Sequence, residues 1–261
     1  MDIHGKVAII TGGASGIGAG LAERFAADGA RGIVVADLQQ ALAEQVAAKI
    51  NANGTQRALA VRCDVSVEAD IQALVAATRA RFGQVDIYVS NAGIGGGTGG
   101  FEVEDAVWER MWKIHGMAHV WAARAVVPEM VARGEGFFMV TASAAGLLTI
   151  VESAPYAVTK HAAVAFAEWL RIAYGRKGVQ VACLCPQSVQ TNMISGTDGG
   201  SAAVNGILAP EVVAQEVVST MDNGKFVVLP HPDVSQYFRN KGQDYERWIG
   251  GMQKMYARHN G

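Results

Sequence analysis

The segment TGGASGIG, Thr11–Gly18, contains four glycines between the apolar run KVAII and the helix-like stretch AGLAERFAADGA. A turn this rich in glycine either serves folding alone or clears room for a ligand to touch the backbone. Gly12, Gly16 and Gly18 fall where a first strand would lead into a first helix. Exposed amide N–H groups and the positive end of a helix dipole can hold a pyrophosphate there. The position of the glycines therefore favours a phosphate-binding turn.

Length and composition limit the classes of protein to consider. The chain has 261 residues, of which 50% are hydrophobic and 18% are charged, and its formal net charge is −2. This length is within the range of one α/β domain, so we expect residues 1–261 to form a single domain. The balanced charge provides no basic surface for nucleic acid, which we exclude as a partner.

The cysteines and the first residues indicate the compartment. Cys63, Cys183 and Cys185 lie in apolar strand-like runs, and their spacings match no zinc-binding pattern. We expect buried thiols in a reducing compartment and no metal site. The opening residues MDIHGK lack the features of a signal peptide, and no apolar run reaches the length of about 20 residues that a bilayer requires. The sequence thus predicts a cytoplasmic protein without a membrane segment.

Short β-rich runs alternate with longer segments whose apolar residues recur at helical spacing. The candidate strands are KVAIIT, GIVVAD, ALAVRCDV, VDIYVSNAG, GFFMVTAS, VQVACLCP and KFVVLP. Such alternation is typical of βαβ units. We therefore predict an α/β fold of the single-domain Rossmann type: a doubly wound, mostly parallel seven-stranded sheet with helices on both faces.

Three further segments complete this expectation. Residues 93–100 and 192–209 are rich in glycine and other small residues, which predicts loops. We expect residues 192–209 to form a mobile lid over the substrate. Residues 233–258 are interpreted as one final amphipathic helix that packs on the body of the protein or on a neighbouring subunit.

Small and polar residues follow several of the predicted strands. Asp37 ends the second strand about 20 residues after the glycine-rich turn, where a dinucleotide site places an acid for the adenosine ribose hydroxyls. The segments CDV (63–65) and SNAG (90–93) end the third and fourth strands. Because open α/β sheets bind ligands at the carboxyl ends of their strands, the sequence predicts a dinucleotide site at this edge.

A tyrosine and a lysine stand one helical turn apart. In SAPYAVTKHA, Tyr156 and Lys160 share one face of a predicted helix, so the ammonium can lie close to the phenol. A neighbouring cation stabilises a phenolate and makes tyrosine a usable base. Ser143 ends the fifth strand, and its hydroxyl would share a pocket with that phenol. Taken alone, the pair is a weak signal, because tyrosine and lysine occur often enough to meet this spacing by chance.

Together, these segments resemble the short-chain dehydrogenase/reductase family. The matching elements are TGGASGIG, Asp37, CDV, NAG, Ser143, YAVTK and CPQSVQT, in the order and spacing of the family. The resemblance covers about residues 5–191 and implies a nicotinamide cofactor across the strand ends. It implies that Tyr156 is the general acid/base and that Ser143 hydrogen-bonds the reacting oxygen. It also implies that Lys160 binds the nicotinamide ribose and lowers the pKa of the phenol.

The resemblance further identifies the residues expected to bind the cofactor. These are Gly12, Ser15, Gly16, Ile17, Gly18, Asp37, Leu38, Asp64, Val65, Asn91, Ala92, Gly93, Tyr156, Lys160, Pro186, Val189 and Thr191. We predict NAD rather than NADP, because Asp37 would face the additional phosphate while Ala14, Ser15 and Leu38 carry no charge to neutralise it. Relatives are commonly tetramers or dimers, so we expect a homo-oligomer.

One residue departs from the family pattern. Relatives carry an asparagine in the helix after the fourth strand that helps to hold a water chain, and ungapped counting places His115 at that position. His115 is therefore a candidate catalytic residue, which either passes protons itself or only fills the space of the asparagine. His119 lies one turn further along, but no HExxH motif accompanies the pair, so no metal site is predicted.

The leading hypothesis is an NAD-dependent enzyme that interconverts a secondary alcohol and a ketone. The alternative is a dinucleotide-binding regulatory protein of the same fold that has lost catalysis, which the missing asparagine alone supports. The segments after the fourth, fifth and sixth strands contain no lysine or arginine. Because a buried anion without a cation is costly, we expect a neutral, mostly apolar substrate, such as an alicyclic, aryl or steroid-like compound.

Overall fold

In a computed structural model that describes residues 1–52, 54–194 and 200–260, the chain forms a seven-stranded sheet. The strands are β1 (Val7–Thr11), β2 (Gly32–Asp37), β3 (Ala58–Arg62), β4 (Ile87–Ser90), β5 (Gly136–Thr141), β6 (Val179–Leu184) and β7 (Val227–Val228). Their order is β3-β2-β1-β4-β5-β6-β7, and every pairing is parallel. The predicted Rossmann fold is confirmed, and the strand order reverses between β1 and β4.

Helices cover both faces of the sheet, as predicted. The α-helices of the described residues are α1 (Gly16–Ala27), α2 (Gln40–Asn51), α3 (Glu68–Phe82), α4 (Asp105–Trp112), α5 (Ala118–Arg133), α6 (Ala145–Leu148), α7 (Ala154–Tyr174), α8 (Pro210–Asn223), α9 (Asp233–Gln243) and α10 (Tyr245–Asn260). Helices α1, α2 and α8 pack on one face through one apolar cluster. Helices α3, α5 and α7 pack on the other face through a second cluster.

The strands are almost continuous apolar runs because both of their faces are covered. Every residue of β1, VAIIT, is buried, and so is every residue of β5, GFFMVT. Alternate residues serve opposite faces: Tyr88 of β4 belongs to the cluster beside α5, and its neighbours Ile87 and Val89 belong to the cluster beside α1. This parallel arrangement brings the carboxyl ends of the strands to one edge, where the candidate residues lie.

The prediction of one final helix at 233–258 is wrong. The chain forms two helices there, α9 and α10, separated at Asp244. Asp244 is extended (φ −147°, ψ 91°), and its Oδ1 accepts a hydrogen bond from Arg247 N at 3.0 Å. Aspartate favours such a capping bond over a place inside a helix, which explains why the chain breaks here.

The helical segment after β4 contains a π-helical turn. Helix α4 runs into this turn, Lys113–Met117, and α5 follows it directly. Helical periodicity in the sequence does not distinguish such a turn from a continuous α-helix, although π turns are frequent at functional sites. His115 lies in the turn, and its side chain is completely buried.

The predicted lid is described only in part. Residues 195–199 of the 192–209 segment lie outside the described residues, and Gly200–Ala203 forms a short 3₁₀ helix. The two ends of the segment lie close together, because Val189, just before it, and Leu208, near its end, form an isolated parallel bridge.

The three cysteines are free and buried. None of the helices in the described ranges is both long and apolar enough to cross a membrane.

The glycine-rich turn requires glycine partly for folding. Gly12 has φ +64°, and a Cβ on it would lie 2.9 Å from the Cα of Ala92, which follows β4. A Cβ on Gly18 would lie only 2.1 Å from the carbonyl oxygen of Gly12. The turn therefore closes on itself and against the end of β4, and a side chain at either glycine would force it open.

Gly18→Ala should lower the free energy of unfolding by about 1–3 kcal/mol, the usual cost of overpacking. Gly250→Ala is a matched control, because Gly250 lies in α10 and nothing lies within 4 Å of a Cβ added to it. That variant should keep or gain stability, since alanine favours a helix. Chemical denaturation measures both effects, and native stability of Gly18→Ala would contradict this steric account.

Candidate active site

The carboxyl ends of β1 and β4 meet beside the glycine-rich turn. Thr11 Oγ1 accepts hydrogen bonds from the backbone N–H groups of Asn91 and Ala92, at 2.9 and 3.2 Å, and Asn91 Nδ2 donates to Thr11 O at 2.9 Å. Gly93 comes next, and a Cβ on it would lie 3.6 Å from Lys160 Nζ. The structure thus places Asn91, Ala92 and Gly93 between the turn and the lysine, where the strand order reverses.

Asp37 contacts the same turn from the end of β2. Its Oδ2 accepts a hydrogen bond from Ala14 N at 3.1 Å, and its Oδ1 accepts one from Gln39 N at 3.0 Å. Each carboxylate oxygen has a second lone pair, so the group can still accept hydrogen bonds from a ligand. Leu38, the next residue, is half exposed at the same place.

A cation stands next to Asp37, and the sequence-based argument for NAD did not include it. Strands β2 and β3 pair so that Arg62 is the register partner of Asp37, and paired residues point to the same face of a sheet. Arg62 is largely exposed, and its ion pair with Asp70 is long, at 3.9 Å. Only the strand register reveals this neighbour, which is why reading each strand separately missed it.

The residues after β3 make local contacts. Asp64 Oδ1 accepts hydrogen bonds from Ser66 Oγ and N, at 2.6 and 2.9 Å. The bond from the hydroxyl is the main cause that lowers the pKa of the Asp64 carboxyl. Val65 is buried in the cluster beside α5. Both residues lie at the carboxyl edge of the sheet, and the Asp64 side chain is hydrogen-bonded within its own turn.

The segment after β6 lies opposite the glycine-rich turn. Three residues expected at the cofactor follow this strand: Pro186, Val189 and Thr191. A Cβ on Gly16 would lie 2.6 Å from Thr191 Cγ2, so the two segments are in close contact. Gly16 and Thr191 both line a crevice of about 600 Å³. Ser15 and Ile17, on either side of Gly16, are partly buried.

The start of α7 fixes the position of Tyr156. Ser153 caps the helix: its Oγ accepts a hydrogen bond from Tyr156 N at 3.2 Å and donates one to Gly97 O at 2.8 Å. Pro155 stands in the first turn, where a backbone N–H has no helical partner in any case. Tyr156 therefore lies in the first turn of α7, tied to the loop after β4, and Lys160 follows one turn later.

Ser143 lies in the turn after β5 and is 8% exposed. Its Oγ accepts a hydrogen bond from Ala145 N at 3.1 Å and makes a longer contact with Pro186 O at 3.4 Å. The Ser143 hydroxyl also hydrogen-bonds the phenol of Tyr156, which acts to lower the pKa of that phenol. The structure thus brings the serine hydroxyl and the tyrosine phenol together.

Lys160 is buried against the end of β5. Its Nζ donates a hydrogen bond to Thr141 O at 3.1 Å and lies 5.5 Å from the centroid of the Tyr156 ring. Burial lowers the pKa of Lys160 to about 8, because an ammonium loses its hydration in the interior. The side chain still carries its charge at neutral pH, close to the phenol and to Gly93.

The pKa of the Tyr156 phenol differs from the expectation that the resemblance gave. Burial raises this pKa above the ordinary value of 10.0, and the hydrogen bond from Ser143 only opposes the rise. The ammonium of Lys160, 5.5 Å from the ring centroid, does not reverse it. At neutral pH the protein therefore holds a neutral phenol beside a charged lysine.

The imidazole of His115 is fixed between two elements. Its Nε2 accepts a hydrogen bond from Ile94 N at 3.1 Å, and its Nδ1 lies 3.0 Å from Thr159 Oγ1. A backbone N–H can only donate, so Nε2 carries no proton and the neutral ring carries its proton on Nδ1. Thr159 accepts from that nitrogen and donates its own hydrogen to Pro155 O at 2.8 Å. His115 thus links the loop after β4 to the first turns of α7.

These contacts favour the space-filling alternative for His115 over proton transfer. Both ring nitrogens are engaged, and burial together with the charge of Lys160 lowers the pKa of His115 well below 6.5. His119 is also buried: its Nδ1 pairs with Ser90 Oγ at 2.7 Å, and burial lowers its pKa to about 3. Within the described part of the chain, no cluster of histidine, cysteine and acidic side chains is arranged to hold a metal ion.

A cavity of about 830 Å³ lies beside Ser143. The turn and short helix after β5 supply one wall, and α9 and α10 supply another. Its larger apolar residues are Leu148, Ile150, Val204, Trp248, Met252 and Met255. Asp244 and Arg247 also line it, so the expectation of a neutral substrate, which rested on segments without lysine or arginine, did not take account of every cation in the wall. That expectation considered only the loops after three strands, and the C-terminal helices contribute the cation.

Glu152 holds several parts of this wall together. Its carboxylate accepts hydrogen bonds from Ser201 N and Oγ, at 2.7 and 2.8 Å, and lies 2.9 Å from His259 Nε2. Ser201 follows β6 and His259 belongs to α10, so one carboxylate joins both to the loop before α7. Lys241 of α9 donates to Leu147 O at 2.7 Å and anchors that helix to the same region. Glu152 belongs to no recognisable motif, and sequence reasoning missed it.

Comparisons with known proteins agree with this geometry. The family model described as short chain dehydrogenase matches residues 6–199. The chain is 32% identical over 253 residues to 1-deoxy-11-beta-hydroxypentalenate dehydrogenase of Streptomyces exfoliatus, covering 95% of this chain and 91% of that protein. It is 31% identical over 252 residues to (+)-borneol dehydrogenase 1 of Salvia officinalis, covering 96% and 91%. A crystal structure of a short chain dehydrogenase/reductase from Burkholderia phymatum in complex with NAD matches with a TM-score of 0.85 at 28% identity, covering 94% of this chain and 96% of that one.

The geometry of His115 predicts an imidazole that does not titrate near neutral pH. Nitrogen NMR should show the tautomer with its proton on Nδ1, unchanged between about pH 5 and 8, the range in which an ordinary histidine changes charge. The spectrum of His115→Asn identifies the resonances by their loss. A titration midpoint within this range would restore the proton-carrying alternative.

Proposed function

The chain belongs to the short-chain dehydrogenase family, and we propose that it is an NAD-dependent oxidoreductase that interconverts a secondary alcohol and a ketone. One observation carries the proposal: Ser143 lines the cavity, its hydroxyl hydrogen-bonds the Tyr156 phenol, and the Lys160 ammonium lies 5.5 Å from the centroid of that tyrosine ring. Two similar proteins are named as dehydrogenases of a hydroxylated compound and of borneol, which supports the reaction class.

The residues at the carboxyl edge fit a nicotinamide dinucleotide. Gly12 and Gly16 give the turn the positive φ angles that lead into α1, whose first amide N–H groups can hold a pyrophosphate. Asp37 would accept hydrogen bonds from the adenosine ribose, and Lys160 would donate to the nicotinamide ribose. The NAD held by the similar Burkholderia phymatum protein supports this choice of cofactor. When bound, the nicotinamide exchanges hydride with the carbinol carbon of the substrate.

We assign proton transfer at the substrate oxygen to Tyr156. In ketone reduction the neutral phenol donates its proton to the carbonyl oxygen, and in alcohol oxidation the phenolate accepts the hydroxyl proton. The raised pKa of Tyr156 means that the protein rests in its acid form at neutral pH. Ser143 would hydrogen-bond the same oxygen and hold it in place. The charge of Lys160 favours the phenolate that oxidation requires.

The cavity favours a mostly apolar, cyclic substrate. Its volume of about 830 Å³ is near the upper end of ordinary ligand pockets and accepts a skeleton of several fused rings. Leu148 and Ile150 face it from one wall, and Trp248 and Met252 from another. An alicyclic or steroid-like alcohol would bury its apolar surface against these side chains, with its hydroxyl at Ser143.

The assay that decides between this enzyme and a regulatory dinucleotide-binding protein is NADH formation with a panel of cyclic secondary alcohols. In that assay Tyr156→Phe should lower kcat by about 10²–10⁴-fold, the usual contribution of a positioned acid/base, and should keep NAD binding. Lys160→Ala should lower kcat and also weaken NAD binding. Tyr174→Phe, at the far end of α7, is the matched control and should keep native kcat. NAD binding without turnover of any alcohol in the native protein would favour the regulatory alternative.

The pKa of Tyr156 also predicts how the two directions depend on pH. The kcat/KM for alcohol oxidation should rise between about pH 6 and 8, by up to about tenfold per unit, because burial raises the pKa of the phenol, oxidation needs the phenolate, and Lys160 keeps its charge up to its pKa of about 8. Ketone reduction uses the neutral phenol and should not rise over the same range. Initial rates in both directions measure the two profiles, and a pH-independent oxidation would contradict the assignment.

Asp37→Asn should weaken the preference for NAD over NADP. At about 4 Å the native carboxylate would repel the additional phosphate by roughly 1 kcal/mol in water and 4 at a dielectric of about 20, so at least tenfold discrimination is expected. Arg62 remains beside the new amide and can pair with the phosphate. The ratio of kcat/KM for the two cofactors should therefore fall in Asp37→Asn and fall less when Arg62→Leu is added. Equal use of both cofactors by the native protein would contradict this account.

A further inference from the structure

We propose that Arg247 recognises a carboxylate on the substrate, at a distance from the reacting hydroxyl. This inference rests on the proposed function and adds a second point of recognition within the same cavity. Ser143 and Arg247 line that cavity from different elements, the turn after β5 and helix α10. Ser143 is buried and Arg247 is exposed, so the reacting oxygen would lie inside and the carboxylate at the mouth.

Arg247 lies near the start of α10, between an anchoring contact made by α9 and one made by α10. Before it, Lys241 Nζ donates to Leu147 O at 2.7 Å, next to the wall that follows β5. After it, His259 Nε2 lies 2.9 Å from Glu152, in the loop that leads to α7. Between these contacts, Trp248 packs against the buried cluster beside α5. The backbone that carries the guanidinium is therefore held in a fixed relation to the catalytic end of the cavity.

Among the described residues, no acidic side chain forms an ion pair with the Arg247 guanidinium at this cavity. Of its described lining residues, Asp244 and Arg247 are the charged ones. Asp244 Oδ1 accepts a hydrogen bond from the backbone N–H of Arg247 at the start of α10, where the helix dipole stabilises a negative charge. A cation at the mouth of an apolar cavity is thus available to a ligand.

A second donor lies on the same side of the cavity. The Oδ1 of Asn240 accepts a hydrogen bond from Gln236 at 2.8 Å, so the Asn240 side chain presents its NH₂ group to other acceptors. Asn240 and Arg247 both line the cavity. A planar guanidinium matches a carboxylate in two parallel hydrogen bonds, and the Asn240 amide is a further donor in the lining of the same cavity. The class of substrate that fits both ends is an apolar cyclic alcohol or ketone that bears a carboxylate.

Binding of matched acids and esters tests this inference separately from turnover. The probes are lithocholate and trans-4-hydroxycyclohexanecarboxylate, each with its methyl ester, so that two ring systems of different length are covered. Calorimetric titrations use the native protein with NADH, Arg247→Leu and Arg247→Lys. Arg239→Leu is the matched control, because Arg239 lies on α9 and bonds to Ser235 and Gln236 outside the cavity lining.

The native protein should bind at least one acid about tenfold or more tightly than its ester, the usual effect of a charge-assisted pair. The ratio of the ester Kd to the acid Kd should fall to near one in Arg247→Leu and fall only partly in Arg247→Lys. In Arg239→Leu this ratio should equal that of the native protein. A native ratio near one for both ring systems, no binding of either acid, or an unchanged ratio in Arg247→Leu overturns the inference. If the acids bind more tightly than the esters through Arg247, but no alcohol gives NADH, then the proposed function is contradicted and the recognition of a carboxylate by Arg247 is still supported.

Discussion

The candidate site depends on one buried hydrogen bond, from the ammonium of Lys160 to the carbonyl oxygen of Thr141, at 3.1 Å. An ammonium removed from water needs a polar partner, and the last residue of β5 supplies it. Gly146 permits the approach, since a Cβ there would lie 2.4 Å from the carbonyl oxygen of Lys160. Helix α7 is thereby docked on the end of β5. Tyr156, one turn earlier on that helix, consequently meets Ser143, which follows the same strand.

The buried charge of Lys160 also sets the state of its titratable neighbours. Burial and this charge both lower the pKa values of His115 and His119, so the two imidazoles stay neutral beside the ammonium. His115 uses that neutral state to accept a hydrogen bond from Ile94 N and to hold Thr159 in α7. A second cation is thus kept away from the phenol of Tyr156. The cation beside this phenol is the ammonium of Lys160, 5.5 Å from the ring centroid.

The fold, and the proximity of Tyr156 to Ser143 and Lys160, could be predicted because local sequence largely determines them. The glycines of Thr11–Gly18 answer a steric need inside one turn, and Tyr156 and Lys160 share a helix face by spacing alone. The features that could not be predicted depend on contacts between segments that are distant in sequence. Strand register brings Arg62 next to Asp37, and the packing of α10 brings Arg247 into the cavity that Ser143, far away in sequence, also lines. The break at Asp244 was missed because 233–258 was interpreted as one amphipathic helix, whereas the Asp244 side chain caps the start of a second helix.

The measurement that tests the account most directly is a crystal structure with NADH and an alicyclic secondary alcohol, a pair that cannot react with each other. The account predicts that the alcohol oxygen lies within about 3 Å of both Ser143 Oγ and the Tyr156 phenol oxygen, the distance of an O–H···O hydrogen bond. The ring system should rest against Trp248 and Met252. An alcohol bound in the cavity with its oxygen out of reach of both hydroxyls would contradict the assignment of this site.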